Sequence, residues 1–327
     1  MRFVTNQTNI TEEQAIAKLL ESRPYIALDI ETVSLDNPLI LGIAVALSDT
    51  IGYYFFNPRD SVLKKVIEES PLVLFHNASF DVPALAKLGI QVPHWEDTML
   101  LAYSAGLLHK GLEDLSKDFL HRPYTKVTSQ WKKTDQGNIA IDHVKMAGWS
   151  LQHAMNTWLL WERLPHTQLY KDIDRPAIDL VIEMEGWGLL IDQYRLTLVE
   201  QETMEKVLRI EAELKIDLNS PDINLGSNPQ VSVALQAQGI IGTRKTKGFK
   251  DSVSDESLKP LHNPIADKIL KYRSLMKTVS TYVPALRNLV DGQGRLHTHY
   301  GYAATGRWTS SDPNLQNLSK DDKFGDE

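Results

Sequence analysis

The sequence predicts an α/β fold, a mixed sheet covered by helices, followed by a second domain that is mainly helical. Two observations support this prediction. Between residues 25 and 89 the segments follow the order strand–strand–strand–helix–strand–helix. Beyond Pro165 the apolar residues recur at helical spacing over long segments, which is typical of a separate helical domain.

The first half carries short apolar runs bounded by turn residues. A helix is predicted over residues 11–22 with Thr11 as its N-cap, and a buried strand over Tyr25–Thr32. The next segments are strands at Leu39–Leu47 and Ile51–Phe56, a helix at 60–69, a strand at Leu72–Phe75, a helix at Phe80–Leu88 closed by Gly89, and a mainly helical stretch at 97–165 with an exposed loop at Val127–Asn138.

The second half reads as long helices that follow a boundary near Leu164–Asp174. Gln193–Leu214 carries an apolar stripe at helical spacing. Its members are Leu196, Val199, Val207, Ile210 and Leu214. The other segments are helices at Arg175–Glu185, ended by Gly186 and Gly188, at Asn224–Gly242 and at Pro264–Leu289, and a strand at Arg295–Tyr302.

Composition narrows the class of protein. The 327 residues suffice for two or three domains, and the absence of cysteine excludes disulfides and thiolate metal sites. No apolar run reaches about 18 residues, so we expect a soluble, cytoplasmic protein without a membrane partner. The net charge of −7 argues against a surface that binds nucleic acid throughout, although Arg244–Lys250 and Lys268–Lys277 are locally basic.

Two carboxylates interrupt the apolar run of the first buried strand. Asp29 and Glu31 stand at i and i+2, so both side chains lie on the same side of a sheet. Buried acids on one face repel each other unless a cation lies between them, and hard oxygen ligands suit Mg²⁺ or Mn²⁺. The alternative is that the strand ends at solvent and both acids point into water.

A second group of polar residues follows the strand that ends at Phe75. Asp81 lies just inside the next helix, where a helix N-terminus tolerates an anion. Asn77 can donate hydrogen bonds, and Phe80 offers a flat face on which a base can stack. The alternative is that Asn77 is a helix cap and Phe80 belongs to the core.

Several motifs together resemble a known family. Asp29-Ile-Glu31-Thr32, Asn77-Ala-Ser-Phe80-Asp81 and Glu96-Asp97-Thr98-Met99-Leu100 resemble the first two motifs of the DEDD 3′–5′ exonucleases, and more narrowly the proofreading domain of family A DNA polymerases. Tyr272–Lys277 with Ser280-Thr281-Tyr282 is similar to the thumb helix of that family. Arg295–Tyr300 and Ala304–Asn317 are similar to the segment that leads from its thumb into its palm.

The resemblance implies a ribonuclease H-like exonuclease domain at 1–168, a helical thumb at 169–294 and the start of a palm at 295–327. It implies a two-metal site in which Asp29, Glu31 and Asp81 bind Mg²⁺ or Mn²⁺. It also implies that His153 is a further catalytic residue. It implies three groups of DNA contacts. These are Asn77, Phe80 and Trp149 at a single-stranded 3′ end, Arg273 and Lys277 on phosphates of a primer–template duplex, and Arg307, Asn314 and Gln316 near its minor groove.

The third exonuclease motif departs from the family pattern. A Tyr-x-x-x-Asp sequence, or His-x-x-x-x-Asp in the sister group, is expected there, but Trp149 stands at the Tyr position and His153 at the Asp position. His153 is a neutral donor that suits Mn²⁺ or Zn²⁺ better than Mg²⁺. Three outcomes stay open: slow hydrolysis, use of another metal, or loss of activity.

The second departure lies at the end of the sequence. After Asn317 we find no counterpart of the family's palm carboxylates, its dNTP-binding helix or its second palm motif. We therefore expect no polymerase activity from this chain alone. The expectation is a truncated polymerase or a natural split one of phage type, with palm and fingers on a second polypeptide. The alternative function is a catalytically silent exonuclease fold that binds DNA and docks that partner.

Overall fold

The computed structural model describes residues 2–4, 23–32, 39–124, 132–133, 139–140, 142–240, 252–303 and 305–317. The chain forms two compact units, Met1–Gly186 and Trp187–Glu327. The predicted helix at 11–22 and the basic segment at 244–250 lie outside the described residues, as does most of the predicted loop at 127–138. The predicted domain limits at 168 and 294 stay predictions. Within the described ranges, no helix combines the length and apolarity that crossing a membrane requires.

The first unit alternates strands and helices. In chain order its elements are β1 (Arg2–Val4), β2 (Ile26–Thr32), β3 (Ile40–Ala46), β4 (Gly52–Phe55), α1 (Ser61–Glu69), β5 (Val73–Phe75), α2 (Ala78–Lys87), β6 (Trp95–Asp97), α3 (Thr98–Ser104), α4 (Leu112–Asp114) with a π-helical turn at Leu115–Phe119, β7 (Lys132–Lys133), β8 (Ile139–Ala140), α5 (His143–Arg163), a π-helical turn at Tyr170–Asp174, and α6 (Arg175–Trp187).

One six-stranded mixed sheet forms the frame of this unit. Its strand order is β1-β4-β3-β2-β5-β6. The pairs β2–β3 and β3–β4 are antiparallel, whereas β1–β4, β2–β5 and β5–β6 are parallel. The predicted α/β class and the predicted hairpin after the first buried strand are confirmed. Strand β2 lies inside the sheet with a partner on each side.

Helix α5 covers the face of the sheet on which the candidate site lies. Asp142 caps its N-terminus by accepting a hydrogen bond from the Lys145 backbone N–H at 3.1 Å. The sheet presents small residues to this helix, because Ala27, Ala44 and Ala46 are fully buried in the cluster that the helix contributes to. Small side chains let the helix backbone approach the strands closely, which brings polar residues of α5 near those of β2.

Several predicted limits need correction. Helix α2 begins at Ala78, before the predicted start at Phe80, and the short strand β6 was not predicted. Helix α6 continues through Gly186 to Trp187. Gly188 follows it with a φ of +60°, a left-handed conformation that only glycine adopts at low cost.

The second unit is mainly helical, as predicted. Its elements are β9 (Leu189–Leu190), α7 (Gln193–Asp217), α8 (Asn228–Ala237), α9 (Asp255–Leu258) with a 3₁₀ turn at Lys259–Leu261, α10 (Pro264–Lys277), a π-helical turn at Thr278–Tyr282, α11 (Val283–Asn288), β10 (Arg295–Leu296), β11 (His299–Tyr302), β12 (Trp308–Ser311) and a 3₁₀ turn at Leu315–Asn317. The predicted single strand at Arg295–Tyr302 is therefore two strands, because β10 pairs with β9 and β11 pairs with β12.

The core of this unit lies between α7, α8 and α10. Of the stripe predicted on α7, Val207, Ile210 and Leu214 are buried in this core together with Ile269 and Tyr272 of α10. An ion pair between Lys268 and the acids of α7 closes the edge of the same contact, with Nζ 2.8 Å from Asp217 Oδ2. The helical spacing of the apolar residues therefore correctly predicted which face of α7 packs against the core.

Candidate active site

The site is built on the middle of β2. Asp29 pairs with Ala44 and Glu31 pairs with Gly42 in the neighbouring strand, so the two acids face small residues there. The pairing register shifts between Glu31 and Thr32. Such an irregularity re-aims the side chains beside it and ends regular pairing next to the site.

Asp29, Glu31 and His153 converge on one point. Each supplies one ligand atom, and the three atoms lie within 4.8 Å of one another. His153 Nδ1 is 3.7 Å from Asp29 Oδ1, which is too long for a hydrogen bond. Two ligands of one cation at bonds of about 2.1 Å lie roughly 3–4 Å apart, so the donor set fits a divalent cation with little movement.

Glu31 is buried, and its pKa is shifted from the ordinary value. Burial and the nearby Asp29 carboxylate raise the pKa of Glu31 to about 8. The Trp149 indole opposes this shift, because Nε1 donates a hydrogen bond of 2.9 Å to Glu31 Oε1. A side-chain hydrogen bond with Asp29 contributes to the raised pKa of Glu31.

Asp29 and His153 are held by other neighbours. Ser150 Oγ donates a hydrogen bond of 2.7 Å to Asp29 Oδ2. The His153 ring stacks on the Tyr124 ring with centroids 4.6 Å apart and planes within 8° of parallel. The Asp29 side chain is 22% exposed and that of His153 is 7% exposed, so the site opens on the Asp29 side.

Asp81 lies in the first turn of α2, as predicted, and is buried. It is not among the residues whose ligand atoms fall within 4.8 Å of one another. Burial, together with the charges of Asp29, Asp97 and Glu31, raises the pKa of Asp81 well above its usual range. Asp81 therefore lies near enough to feel the same carboxylates, and a cation between them would relieve their repulsion.

Asp97 connects two helix N-termini beside the site. Its carboxylate accepts hydrogen bonds from the backbone N–H groups of Met99 and Leu100, which begin α3, at 2.8 and 3.1 Å. It also accepts from Asn77 at 3.2 Å and from Ala78 at 2.8 Å, where α2 begins. Asp97 thus fixes the start of the helix that carries Asp81.

Tyr54 lies on the same face of the sheet, one strand further away. Its side chain is fully buried, and its hydroxyl finds no hydrogen-bond partner among the described residues. A Cβ added to Gly42 would overlap this hydroxyl, so Gly42 leaves the space that the Tyr54 ring fills. Burial and the charges of Glu31 and Asp29 raise the pKa of Tyr54, which keeps the phenol neutral.

The residues predicted to bind a DNA end differ in their exposure. Asn77 is the N-cap residue of α2 with φ of 87°, and its Oδ1 accepts from Ser79 Oγ at 2.9 Å. Phe80 is half-buried. Trp149 is only 5% exposed, and its N–H donates to Glu31, whereas its contact with a DNA end stays a prediction.

The DNA contacts predicted in the helical unit also separate into two kinds. Arg273 donates to the Val253 carbonyl and to Asn228 Oδ1 and lies 3.4 Å from Asp255 Oδ1, so its guanidinium is engaged inside the unit. Its contact with phosphates of a primer–template duplex stays a prediction. Lys277 is exposed, with Nζ 5.2 Å from the Tyr282 ring centroid.

The last three predicted residues lie on the surface of the same unit. Arg307, Asn314 and Gln316 are all exposed. Gln316 Nε2 donates to the Trp308 carbonyl at 3.0 Å, and Asn314 Oδ1 accepts from the Gln316 backbone N–H at 3.0 Å. Their contact with DNA stays a prediction.

Three residues of the site were not found from the sequence. Ser150 precedes His153 by one helical turn, and this spacing on a helix that carries a candidate ligand was the signal available. Tyr124 and Tyr54 stack or pack against the site from distant segments, and no local pattern marks them. The site as a whole can hold a divalent cation between Asp29, Glu31 and His153.

Comparison with known families matches both halves of the chain. Residues 3–147 match the family model for a 3′–5′ exonuclease, and residues 193–327 match the model for DNA polymerase family A. The first match contains the acids of β2 and the second contains most of the helical unit. The two matches follow each other in the order that the motifs predict.

Individual relatives agree with these matches. DNA polymerase I of Rhizobium leguminosarum is 31% identical over 80% of this chain and 28% of its own length. The enzymes named DNA polymerase I from Chloroflexus aurantiacus and Borreliella burgdorferi are each 30% identical, over 95% and 99% of this chain. The chain spans 37% and 38% of the length of those two relatives.

A solved structure resembles the fold across both units. The POL domain of Pol1 from M. smegmatis, in complex with DNA primer-template and dNTP, superimposes with a TM-score of 0.74 and 22% identity. The match covers 98% of this chain and 57% of that one. Together with the two family matches and the shared order of motifs, these relatives show that the chain belongs to family A of the DNA polymerases, of which it carries the 3′–5′ exonuclease and thumb region.

Proposed function

We propose that this chain removes nucleotides from 3′ ends of DNA by divalent-cation-dependent hydrolysis, as the proofreading part of a family A DNA polymerase. One observation carries the proposal. Asp29 and Glu31 of β2, which lie inside the region that matches a 3′–5′ exonuclease, and His153 bring their ligand atoms within 4.8 Å of one another. Glu31 is buried and Asp29 is half-buried beside it, and a cation between them would offset the hydration that they lose and their mutual repulsion.

The residues present fit the expected metal. Asp29, Glu31 and His153 would hold an ion, and Asp81 lies close enough to help neutralise a second one. A bound divalent cation supplies charge neutralisation at the scissile phosphate and lowers the pKa of a coordinated water. Mg²⁺ or Mn²⁺ is the expected ion.

The remaining chemistry belongs to side chains of this chain. In the hydrolysis a water oxygen bonds to phosphorus and the 3′ oxygen leaves. Glu31 is suited to accept the water proton, because its carboxylate lies beside the point on which the ligand atoms converge. Trp149 holds Oε1 and Ser150 holds Asp29, so neither carboxylate has to be ordered when the substrate binds.

The helical unit is proposed to hold primer–template DNA. Its exposed Lys277 and Arg307 supply positive charge without competing ion pairs to a neighbouring acid in the described contacts. The relative from M. smegmatis binds a DNA primer-template, which supports the same role here. A second polypeptide that supplies palm and fingers stays a prediction, as does the cytoplasmic location.

The proposal is tested by digestion of a 5′-labelled single strand by the full chain with Mn²⁺ and with Mg²⁺. Shortening from the 3′ end with at least one of the two ions, and its loss in Asp29→Ala, is the expected result. Asp118→Ala, an exposed acid of the same unit, is the matched control and should digest normally. No digestion with either ion would support the alternative, a silent fold that only binds DNA.

A further inference from the structure

The ligand set of the site is not composed of carboxylates alone. We propose that Asp29, Glu31 and His153 form a two-carboxylate, one-imidazole site that selects Mn²⁺ or Zn²⁺ over Mg²⁺. The inference deepens the proposed function, since it concerns the same site. The inference concerns metal affinity, which can be measured without any DNA hydrolysis.

The position of His153 is suited to a metal ligand. It lies on α5 facing β2, with Nδ1 3.7 Å from Asp29 Oδ1. The distance is too long for a hydrogen bond, and the two groups form an ion pair only when the imidazole is protonated. A cation between them could contact both, because the ligand atoms of Asp29, Glu31 and His153 already lie within 4.8 Å of one another. Among the described residues, these three are the one group of three or more acids and histidines with such convergence.

Each ligand is oriented by a separate neighbour. Trp149 Nε1 bonds Glu31 at 2.9 Å, and Ser150 Oγ bonds Asp29 at 2.7 Å. The Tyr124 ring stacks on His153 at 4.6 Å and restricts the rotation of the imidazole. Supporting contacts of this kind orient metal ligands and strengthen binding. They are unnecessary for surface acids that only face water.

The donor chemistry decides which cation is favoured. Mg²⁺ prefers oxygen ligands in near-ideal octahedral arrangement, whereas imidazole suits first-row transition metals and Zn²⁺. The charge of two carboxylates is balanced by one divalent ion without help from His153. His153 therefore contributes a nitrogen donor and no negative charge. This donor raises the affinity of the site for Mn²⁺ and Zn²⁺ more than its affinity for Mg²⁺.

The test is isothermal titration of the full chain with Mn²⁺, Zn²⁺ and Mg²⁺ separately. Wild type should bind Mn²⁺ and Zn²⁺ more tightly than Mg²⁺. His153→Asp should lower the ratio of Mn²⁺ to Mg²⁺ affinity by about tenfold or more, which corresponds to about 1.4 kcal/mol. His153→Ala should weaken Mn²⁺ and Zn²⁺ binding and leave weak Mg²⁺ binding nearly unchanged.

The matched control is His94→Ala, because His94 is exposed in the same unit and outside the ligand group. It should bind all three ions like wild type. Far-ultraviolet circular dichroism checks that each variant is folded, and His153→Ala alone carries the test if His153→Asp unfolds. An unchanged affinity ratio in the folded His153 variants would overturn the inference. Selective Mn²⁺ binding without DNA digestion would instead refute the proposed function and leave this inference standing.

Discussion

The indole Nε1 of Trp149 donates a hydrogen bond of 2.9 Å to Oε1 of Glu31 across 118 positions of sequence. This contact joins helix α5 to the middle strand of the sheet at the candidate site. A buried carboxylate without a donor would lose its hydration with no compensation. The bond therefore contributes both to the fold and to the position of a metal ligand.

Trp149→Phe should remove this donor while keeping an aromatic ring in the core. We expect a loss of about 1–3 kcal/mol in unfolding free energy, since the buried Oε1 of Glu31 loses the indole donor. Mn²⁺ affinity should fall by about 10–100-fold, as for other residues that orient metal ligands. Chemical denaturation and titration calorimetry measure the two effects.

The control for this variant is Trp158→Phe, which changes a partly buried tryptophan of the same helix. Trp158 packs on Tyr25, with ring centroids 5.6 Å apart, and not on the acids. Its replacement should leave Mn²⁺ affinity unchanged. Equal effects of both variants on Mn²⁺ affinity would show that Trp149 does not orient Glu31.

The metal-free exonuclease unit should lose stability as the pH rises through neutrality. The pKa of Glu31 is raised to about 8 from an ordinary value of 4.5, and that of Asp81 is raised as well. The folded state keeps protons that the unfolded state has already released. The contribution of these protons is therefore complete below about pH 4.5 and is lost as the pH approaches 8.

Calorimetric unfolding between pH 5 and 8 in the presence of a chelator measures this loss. The melting temperature of the unit should fall across the range, and Glu31→Gln should flatten the decline. Mn²⁺ should restore most of the lost stability at pH 8, because the cation replaces the protons. A melting temperature that rises with pH in wild type, or an equal slope in Glu31→Gln, would refute the assignment.

Gly42→Ala should disturb the packing behind the site. The added methyl group would overlap the Tyr54 hydroxyl, so we expect destabilisation by about 1–3 kcal/mol. The cost should be smaller in the Tyr54→Leu background, because the far end of the ring is then absent. A double-mutant cycle of unfolding free energies measures this coupling.

Gly148→Ala is the matched control, because a methyl group at this helical glycine meets no atom within 4 Å. It should stabilise the unit by about 0.5–1 kcal/mol through the higher helix propensity of alanine. If Gly42→Ala were equally stabilising, the contact between Gly42 and Tyr54 would have no energetic role.

Asp97→Ala should weaken the start of two helices at once. The carboxylate is 2% exposed and accepts from backbone N–H groups of α2 and α3. We expect a loss of about 2–4 kcal/mol, more than for an ordinary cap. Asp142→Ala removes a cap that is exposed and should cost about 1 kcal/mol. Equal costs in thermal unfolding would contradict the double role of Asp97.

Arg273 and Lys277 should respond differently to replacement by alanine. Arg273→Ala breaks contacts to Val253, Asn228 and Asp255, so the helical unit should lose about 1–3 kcal/mol of unfolding free energy. Lys277→Ala should leave stability within about 0.5 kcal/mol of wild type and weaken primer–template binding.

Fluorescence anisotropy with a labelled duplex at two salt concentrations measures the DNA effect. Lys277→Ala should reduce the salt dependence of binding as well as the affinity, because one phosphate contact is lost. Lys206→Ala, an exposed lysine of α7, is the control. Identical duplex affinity in Lys277→Ala and wild type would remove Lys277 from the proposed interface.

Much of the fold was predictable from local patterns. The apolar run around Asp29 and the hairpin after it predicted the sheet, because strands buried on both faces need continuous apolar sequence. Strand β6 was missed, since Trp95–Asp97 is three residues long and carries two acids. Its strand character comes from parallel pairing with β5, which no local pattern records.

The candidate site was predictable only in part. The sequence predicted Asp29, Glu31 and Asp81 as metal ligands and His153 as a further catalytic residue, whereas the ligand atoms that converge belong to Asp29, Glu31 and His153. The roles of Trp149 and Ser150 depend on how closely α5 approaches the sheet, and this is set by Ala27, Ala44 and Ala46. Such distances follow from packing between distant segments and not from periodicity.

The central claim is that the acids of β2 and His153 together bind a divalent metal. Anomalous diffraction at the manganese edge, from crystals of the chain grown with Mn²⁺, tests it most directly. The account predicts an anomalous peak within bonding distance of Asp29, Glu31 and His153. A folded chain with no peak at this point, or a peak that His153 does not contact, would contradict it.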